Sequence, residues 1–127
     1  AIIGTGPGGV SAALTAKVRN KNILLIGKKQ MSDKVSKAHQ IMNYPGLPAV
    51  TGADMAKAFE KQLAMMEINI TDSRIGTVYA MGDYFAIQAG GEVLEAKSVI
   101  LACGVVSGKT LPGEEEMLGG VSATVDL

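Results

Sequence analysis

The sequence predicts an α/β fold, in which a parallel sheet is joined to a three-stranded antiparallel meander. Three observations support this prediction. A glycine-rich turn stands between an apolar strand-like run and a stretch whose apolar residues have helical spacing. A second apolar run follows that stretch, as a strand–helix–strand unit requires. Further along the chain, three short strand-like runs are separated by glycine-containing turns.

The first unit begins with a predicted strand at Ala1–Ile3, which ends at the glycine-rich run 4–9. Apolar residues then recur at helical spacing and predict a helix that ends near Asn20. The apolar positions of this helix are Val10, Ala13, Leu14 and Val18. The run Ile23–Ile26 predicts a second buried strand, which Gly27 stops. This order of strand, turn, helix and strand is that of a Rossmann-type βαβ unit.

A polar, irregular segment, residues 28–50, separates this unit from a second predicted helix. Two prolines and a glycine near its end favour turns over helix. Thr51 is the predicted cap of the helix, with Asp54 three residues on in a capping-box-like position. We interpret the Met-rich apolar stripe of this helix as core filler rather than as a binding groove. The stripe consists of Met55, Ala56, Phe59, Leu63 and Met66.

The meander is predicted after an alternating segment that starts at Ile68 and Ile70. Its three strand-like runs are Ile75–Met81, Tyr84–Gln88 and Val93–Ala96. Gly82-Asp83 and Gly90-Gly91 stand between the runs as hairpin turns. The apolar run Ser98–Ala102 then predicts a buried strand that returns to the parallel sheet and ends at Gly104.

Gly4, Gly6 and Gly9 have the spacing of a dinucleotide-binding turn. In this pattern the first glycine permits a tight turn and the second lets the backbone approach a pyrophosphate. The third allows the helix to pack closely on the strand. The N-terminus of the following helix offers unpaired N–H groups to the phosphates. Because a strand precedes the turn and a helix follows it, the match is specific.

Positive charge is concentrated in the first part of the chain. Residues 1–50 carry a net charge of +6 and residues 51–127 a net charge of −6, so the whole chain is neutral. Lys28 and Lys29 follow the second strand, where an acidic residue usually binds the adenosine ribose. These lysines either favour an additional phosphate or are simply solvated. The lysines lack interleaved aromatic residues, which argues against a nucleic-acid-binding surface.

Composition excludes several other classes of protein. The length of 127 residues suits one domain. A single Cys rules out an internal disulfide, and with a single His it rules out a Cys/His zinc site built by this chain alone. The apolar runs fall far short of the ~20 residues that span a bilayer. We therefore expect a cytoplasmic protein with no metal and no membrane segment.

Four segments, spread over nearly the whole chain, together resemble one known family. They are Ile2-Ile3-Gly4-Thr5-Gly6-Pro7-Gly8-Gly9, Asn43-Tyr44-Pro45-Gly46, Val99-Ile100-Leu101-Ala102-Cys103-Gly104 and Leu111-Pro112-Gly113-Glu114-Glu115-Glu116. In this order they resemble bacterial thioredoxin reductases. The resemblance implies a Rossmann-like FAD-binding domain. It also implies that residues 1–127 are the front part of that domain, incomplete and without the NADPH domain.

The resemblance implies FAD as cofactor, and electron transfer through the flavin to a disulfide acceptor. It leaves catalytic residues unassigned. The implied FAD pyrophosphate residues are Thr5, Gly6, Pro7 and Gly8, and Gly27 and Lys28 lie near the adenosine ribose. Asn43 is implied on the flavin side and Ile75 near the adenine. The complete implied cofactor set is Gly4, Thr5, Gly6, Pro7, Gly8, Gly9, Gly27, Lys28, Asn43, Ile75, Ala102, Cys103 and Gly104.

The resemblance also implies partners: a thioredoxin-like protein or a small disulfide as acceptor, NADPH or ferredoxin as donor, and a second copy in a homodimer. The family's Cys-x-x-Cys pair is missing, because Val125 occupies the second Cys position. A flavin- or nucleotide-binding module without disulfide reductase activity is therefore the alternative. We interpret Cys103 as a small buried core residue and His39 as a solvated loop residue.

Overall fold

The structure is a computed structural model that describes residues 1–30 and 33–104. Its elements, in chain order, are β1 (Ile2–Ile3), α1 (Pro7–Val18), β2 (Leu25–Gly27), α2 (Asp33–Ser36), α3 (Gly52–Met65), β3 (Ile70–Asp72), β4 (Ile75–Ala80), β5 (Phe85–Ala89), β6 (Glu92–Ala96) and β7 (Ile100–Leu101). Within the described ranges, no helix has the length and apolar character that a membrane crossing requires.

A four-stranded parallel sheet forms the centre of the fold, with strand order β3-β2-β1-β7. Ile2 pairs with Leu25 on one side and with Ile100 on the other. The three predicted parallel strands are therefore confirmed, with β1 and β7 shorter than predicted, while β2 begins later and includes Gly27, where the prediction ended it. The sequence did not predict β3 as a member of this sheet, although Ile70 pairs with Leu25.

The predicted meander is confirmed as an antiparallel sheet with strand order β4-β5-β6. Both hairpin turns lie at the glycine-containing positions that the sequence predicts. Gly82 has a φ of 88° and Gly90 a φ of 62°, a region that glycine adopts readily. The first turn is closed by the Met81 amide, which donates to the Tyr84 carbonyl oxygen at 2.9 Å.

The central sheet buries both of its faces because successive strand side chains point in opposite directions. On one face, Ile2 and Leu25 join the buried residues of α1 and α3 in one core cluster. On the other face, Ile3 and Ile26 pack with Ile87 of the meander in a second cluster. The described part of the chain is thus layered as helices, parallel sheet and antiparallel sheet.

Helix α3 begins and packs as its sequence predicts. The Asp54 amide donates to Thr51 Oγ1 at 3.1 Å, and Thr51 Oγ1 donates to Asp54 Oδ2 at 2.7 Å. Met55, Phe59 and Leu63 are buried in the core cluster, so the interpretation of the Met-rich stripe as core is confirmed.

Three expectations about burial and local structure were wrong. Val18, predicted on the buried side of α1, is 71% exposed because it lies in the last turn, beyond the buried residues of that helix. The segment 28–50 is not wholly irregular, since α2 forms within it. The predicted buried strand Ser98–Ala102 is the short β7, whose Leu101 is 70% exposed. Among the described strands β7 pairs only with β1, so it lies at the sheet edge.

Candidate dinucleotide site

A cleft of about 440 Å³ lies beyond the carboxyl ends of β1, β2 and β7. Ligands of open α/β sheets bind at this edge. Ten residues of the predicted cofactor set line the cleft. They are Gly4, Thr5, Gly6, Pro7, Gly8, Gly27, Lys28, Ala102, Cys103 and Gly104. The structure therefore brings together segments that are about one hundred residues apart in the sequence.

Gly4 and Gly9 form the inner face of the turn, where contacts within the protein itself leave no room for a side chain. Gly4 has a φ of 117°, and a Cβ at this position would collide with the carbonyl oxygen of Ala102. A Cβ on Gly9 would collide with the carbonyl oxygen of Gly4. The roles predicted for them, a tight turn and close packing of helix on strand, are confirmed. Gly9 does not line the cleft.

Gly6 and Gly8 form the outer face, and the fold itself does not require glycine at either position. Gly6 has an ordinary φ of −76° as N-cap of α1. A Cβ on Gly6 or on Gly8 would meet no atom of the described residues within 4 Å. Gly6 lines the cleft, so the room that it leaves belongs to the cleft. Backbone that lies open in this way suits the close approach of a phosphate group.

The N-terminus of α1 adds electrostatic attraction for an anion. Gly6 provides no side-chain cap, and the first turn contains no acidic residue. Backbone N–H groups of this first turn lack intrahelical partners and carry the positive end of the helix dipole. Among the described residues that line the cleft, Lys28 is the only Lys, Arg, Asp or Glu.

Thr5 anchors the turn to the end of β2, a contact that the sequence did not predict. Its side chain is buried, and Thr5 Oγ1 donates to the Lys28 carbonyl oxygen at 2.9 Å. Gly27 makes room for it, since a Cβ there would lie 2.9 Å from Thr5 Cγ2. The signal in the sequence was Gly27, because a glycine at the end of an apolar strand often marks a place where another chain segment or a ligand lies close to the strand.

Asn43 and Ile75 are not brought to the cleft in the described part of the chain. Asn43 is exposed in the segment between α2 and α3. Ile75 is half-buried against the core cluster of Ile3, Ile26 and Ile87. Their implied contacts with the cofactor therefore stay predictions.

The interpretation of Cys103 as a buried core residue was wrong. Cys103 is an exposed free cysteine whose Sγ lies 3.9 Å from the Ile3 carbonyl oxygen. It follows the edge strand β7 and lines the cleft, where the described elements leave it accessible. His39 is exposed, as predicted. Val125 and the segment 111–116 lie outside the described residues.

Comparison with known proteins gives one family over almost the whole chain. Residues 1–126 match the family described as pyridine nucleotide-disulphide oxidoreductase. Thioredoxin reductase from Helicobacter pylori is 38% identical over 133 residues, which cover 99% of this chain and 43% of that protein.

Two solved structures show the same fold. The ferredoxin-flavin thioredoxin reductase from Clostridium acetobutylicum superposes with a TM-score of 0.82 at 44% identity, over 93% of this chain and 41% of that one. Thioredoxin reductase from Lactococcus lactis gives a TM-score of 0.78 at 27% identity, over 91% and 38%. The chain thus spans about two fifths of the length of the relatives it matches.

The comparisons bear on the predicted cofactor and fold. Thioredoxin reductases of this family are FAD-binding flavoproteins, so FAD as the predicted cofactor and the Rossmann-like FAD-binding fold are confirmed. The individual contacts of the thirteen predicted residues stay predictions.

Proposed function

The chain belongs to the pyridine nucleotide-disulphide oxidoreductase family, and from that membership we propose that it forms the FAD-binding part of a thioredoxin-reductase-like oxidoreductase. In this proposal residues 1–127 are the front part of the FAD-binding domain. Residues 1–127 contain no second glycine-rich dinucleotide loop, so the proposal assigns no NADPH site to them.

The outer face of the glycine-rich turn is the observation that carries the proposal. At Gly6 the backbone conformation is open to any residue, and within residues 1–30 and 33–104 no atom lies within 4 Å of the place of a Cβ. A glycine that the fold does not need, at the N-terminus of a helix and on the wall of a cleft, is what a pyrophosphate requires.

Each wall of the cleft has a part in holding FAD. The backbone of residues 5–8 would line the pyrophosphate, and the N–H groups of Gly8 and Gly9 in the first turn of α1 would donate to it, since Pro7 has no N–H. Gly27 and Lys28 would lie toward the adenosine, and residues 102–104 form the opposite wall. Bound FAD supplies the redox chemistry, while the protein binds and orients it.

The partners proposed for the full-length protein follow the relatives. A thioredoxin-like protein or a small disulfide is the proposed acceptor, supported by the thioredoxin reductases that the chain resembles. NADPH or ferredoxin is the proposed donor, and the Clostridium acetobutylicum structure, a ferredoxin-flavin enzyme, supports ferredoxin. A homodimer and a cytoplasmic location complete the proposal.

The alternative is a flavin-binding module that does not reduce disulfides, and the similarity to thioredoxin reductases favours the oxidoreductase. The alternative rests on Val125, which cannot form a thiolate where the family has a Cys. Disulfide exchange needs a second thiol to resolve the mixed disulfide, and Cys103 is the only Cys in this sequence. Disulfide reduction by the full-length protein therefore separates the two functions.

Replacement of Gly6 by Val tests the cofactor site. We expect Gly6→Val to abolish retention of FAD, because its side chain fills the space that a phosphate needs. The apoprotein should still fold, since the backbone at Gly6 has an ordinary φ and the new Cβ meets no atom of the described part of the chain within 4 Å. The measurement is the visible absorption of the purified protein, with thermal unfolding of the apoprotein as the control. Normal flavin stoichiometry in Gly6→Val would contradict the proposal.

A further inference from the structure

Thr5 stands apart from the other residues of the glycine-rich turn because its side chain faces inward. It is 7% exposed, although it follows Gly4 and precedes Gly6 on the wall of the cleft. The hydroxyl proton is directed to the Lys28 carbonyl oxygen, 23 residues further along the chain. Hydroxyl donation to FAD would break that bond.

The side chain of Thr5 engages two neighbouring residues at once. Its Cγ2 fills the space that Gly27 leaves, and its Oγ1 holds the carbonyl group of Lys28. Both contacts fix the backbone at the point where β2 ends. Rotation of this segment would leave a carbonyl oxygen unpaired, which costs free energy in a partly buried site.

Lys28 is the residue whose position this contact controls. Its side chain is exposed. Among the described residues that line the cleft, Lys28 is the only Lys or Arg, and none of these residues is Asp or Glu. FAD carries negative charge on its pyrophosphate, so a cation held at this rim attracts it. Because the Lys28 side chain is exposed, salt screens its attraction to the pyrophosphate.

We propose that Thr5 is a positioning residue for FAD, which fixes the backbone of Lys28 so that the lysine ammonium group faces the anionic cofactor across the cleft. Thr5 acts through Lys28 and not by a hydroxyl contact of its own. The inference rests on the proposed function, since it takes FAD as the occupant of the cleft.

The test is a double-mutant cycle between Thr5→Val and Lys28→Gln in the full-length protein. Dissociation constants are measured by adding FAD to the apoprotein and following flavin fluorescence. We expect Lys28→Gln to weaken binding about fivefold at low salt and to have little effect at high salt. We expect Thr5→Val, which keeps the shape and removes the hydrogen bond, to weaken it about threefold, because a residue that acts through Lys28 cannot cost more than the loss of the lysine charge.

Two further variants separate positioning from mere stability. Thr5→Ser keeps the hydroxyl and should bind FAD within about twofold of the wild type, because the hydrogen bond remains. Lys29→Gln changes an exposed neighbour that does not line this cleft and should leave binding unchanged. In the double variant the two losses should be less than multiplicative, because Thr5 acts through Lys28.

Each outcome decides between the claims. If the wild type does not bind FAD, the proposed function fails. If the wild type binds FAD and the two losses multiply, or Thr5→Ser is as weak as Thr5→Val, the positioning role is wrong. If Thr5→Val does not fold, Lys28→Gln alone decides, and unchanged affinity at low salt overturns the proposal.

Discussion

The inner and outer faces of the glycine-rich turn contain the same residue type under different constraints. On the inner face, a Cβ on Gly4 or Gly9 would collide with a backbone carbonyl oxygen of the protein itself. On the outer face, a Cβ on Gly6 or Gly8 would meet none of the residues that the structure describes within 4 Å. Inner glycines are therefore required before any ligand binds, and an outer glycine is required only if a ligand approaches.

This difference makes the two requirements separately measurable. Stability of the apoprotein reports on the inner face, where backbone meets backbone and neither side can move cheaply. Affinity for FAD reports on the outer face, where the protein leaves space. Replacing one glycine of the turn at a time by alanine therefore tests each position separately. The expected loss of stability is large where the new Cβ would collide with backbone and small where it would meet open space.

The largest effect is expected for Gly9→Ala. Its Cβ would collide with the Gly4 carbonyl oxygen, and α1 cannot move away without losing its packing on the central sheet. We expect a loss of at least about 3 kcal/mol in the free energy of unfolding, or failure to fold. Urea unfolding of the full-length apoprotein measures it, with Gly8→Ala as the neighbouring control. If Gly9→Ala had the same urea unfolding midpoint as the wild type, the assignment of Gly9 to the inner face would be wrong.

Much of the fold follows from local signals in the sequence. The meander strands were predicted to within one residue at every end because glycines mark both hairpin turns. Strand β3 was missed because its three residues gain their role from pairing with β2, more than forty residues earlier in the chain. Helix α2 was missed because it is only four residues long. It depends on α3, whose Gly52 amide donates to the Ala38 carbonyl just beyond α2.

An intermediate effect is expected for Gly27→Ala, at the junction of the two faces. The new Cβ would lie 2.9 Å from Thr5 Cγ2, a side-chain atom that can yield slightly where a backbone atom cannot. We expect a loss of about 1 kcal/mol in unfolding free energy. Thr5→Ser removes Cγ2, so the double variant should recover at least half of that loss. If Thr5→Ser and Gly27→Ala were simply additive, the contact between them would not determine the cost.

The candidate site was predictable as a set of residues but not in its contacts. The glycine spacing identified Gly4 and Gly6, and the resemblance to thioredoxin reductases implied the other eight residues that line the cleft. The exposure of Cys103 was not predictable, because an apolar run indicates burial while actual burial depends on which elements cover the strand. The Thr5–Lys28 hydrogen bond joins residues 23 positions apart, and no local pattern indicates it.

The smallest effect, and the one of opposite sign, is expected for Gly8→Ala. Gly8 is exposed in the first turn of α1 and has helical backbone, and a Cβ there meets no atom of the described ranges within 4 Å. Alanine lowers the entropy of the unfolded chain and favours helix, so we expect the apoprotein to gain about 0.5 kcal/mol.

FAD should still bind to this variant, because alanine keeps the backbone N–H at this position and the dinucleotide pattern needs glycine only at Gly4, Gly6 and Gly9. Urea unfolding of the apoprotein and FAD titration of the same preparation measure both quantities. Gly6→Val is the matched comparison, since it keeps the fold and should lose the flavin. A loss of stability in Gly8→Ala would mean that the outer face is packed against protein. A loss of FAD at unchanged stability would mean that the cofactor approaches the turn at Gly8, two residues further along the chain than the motif implies.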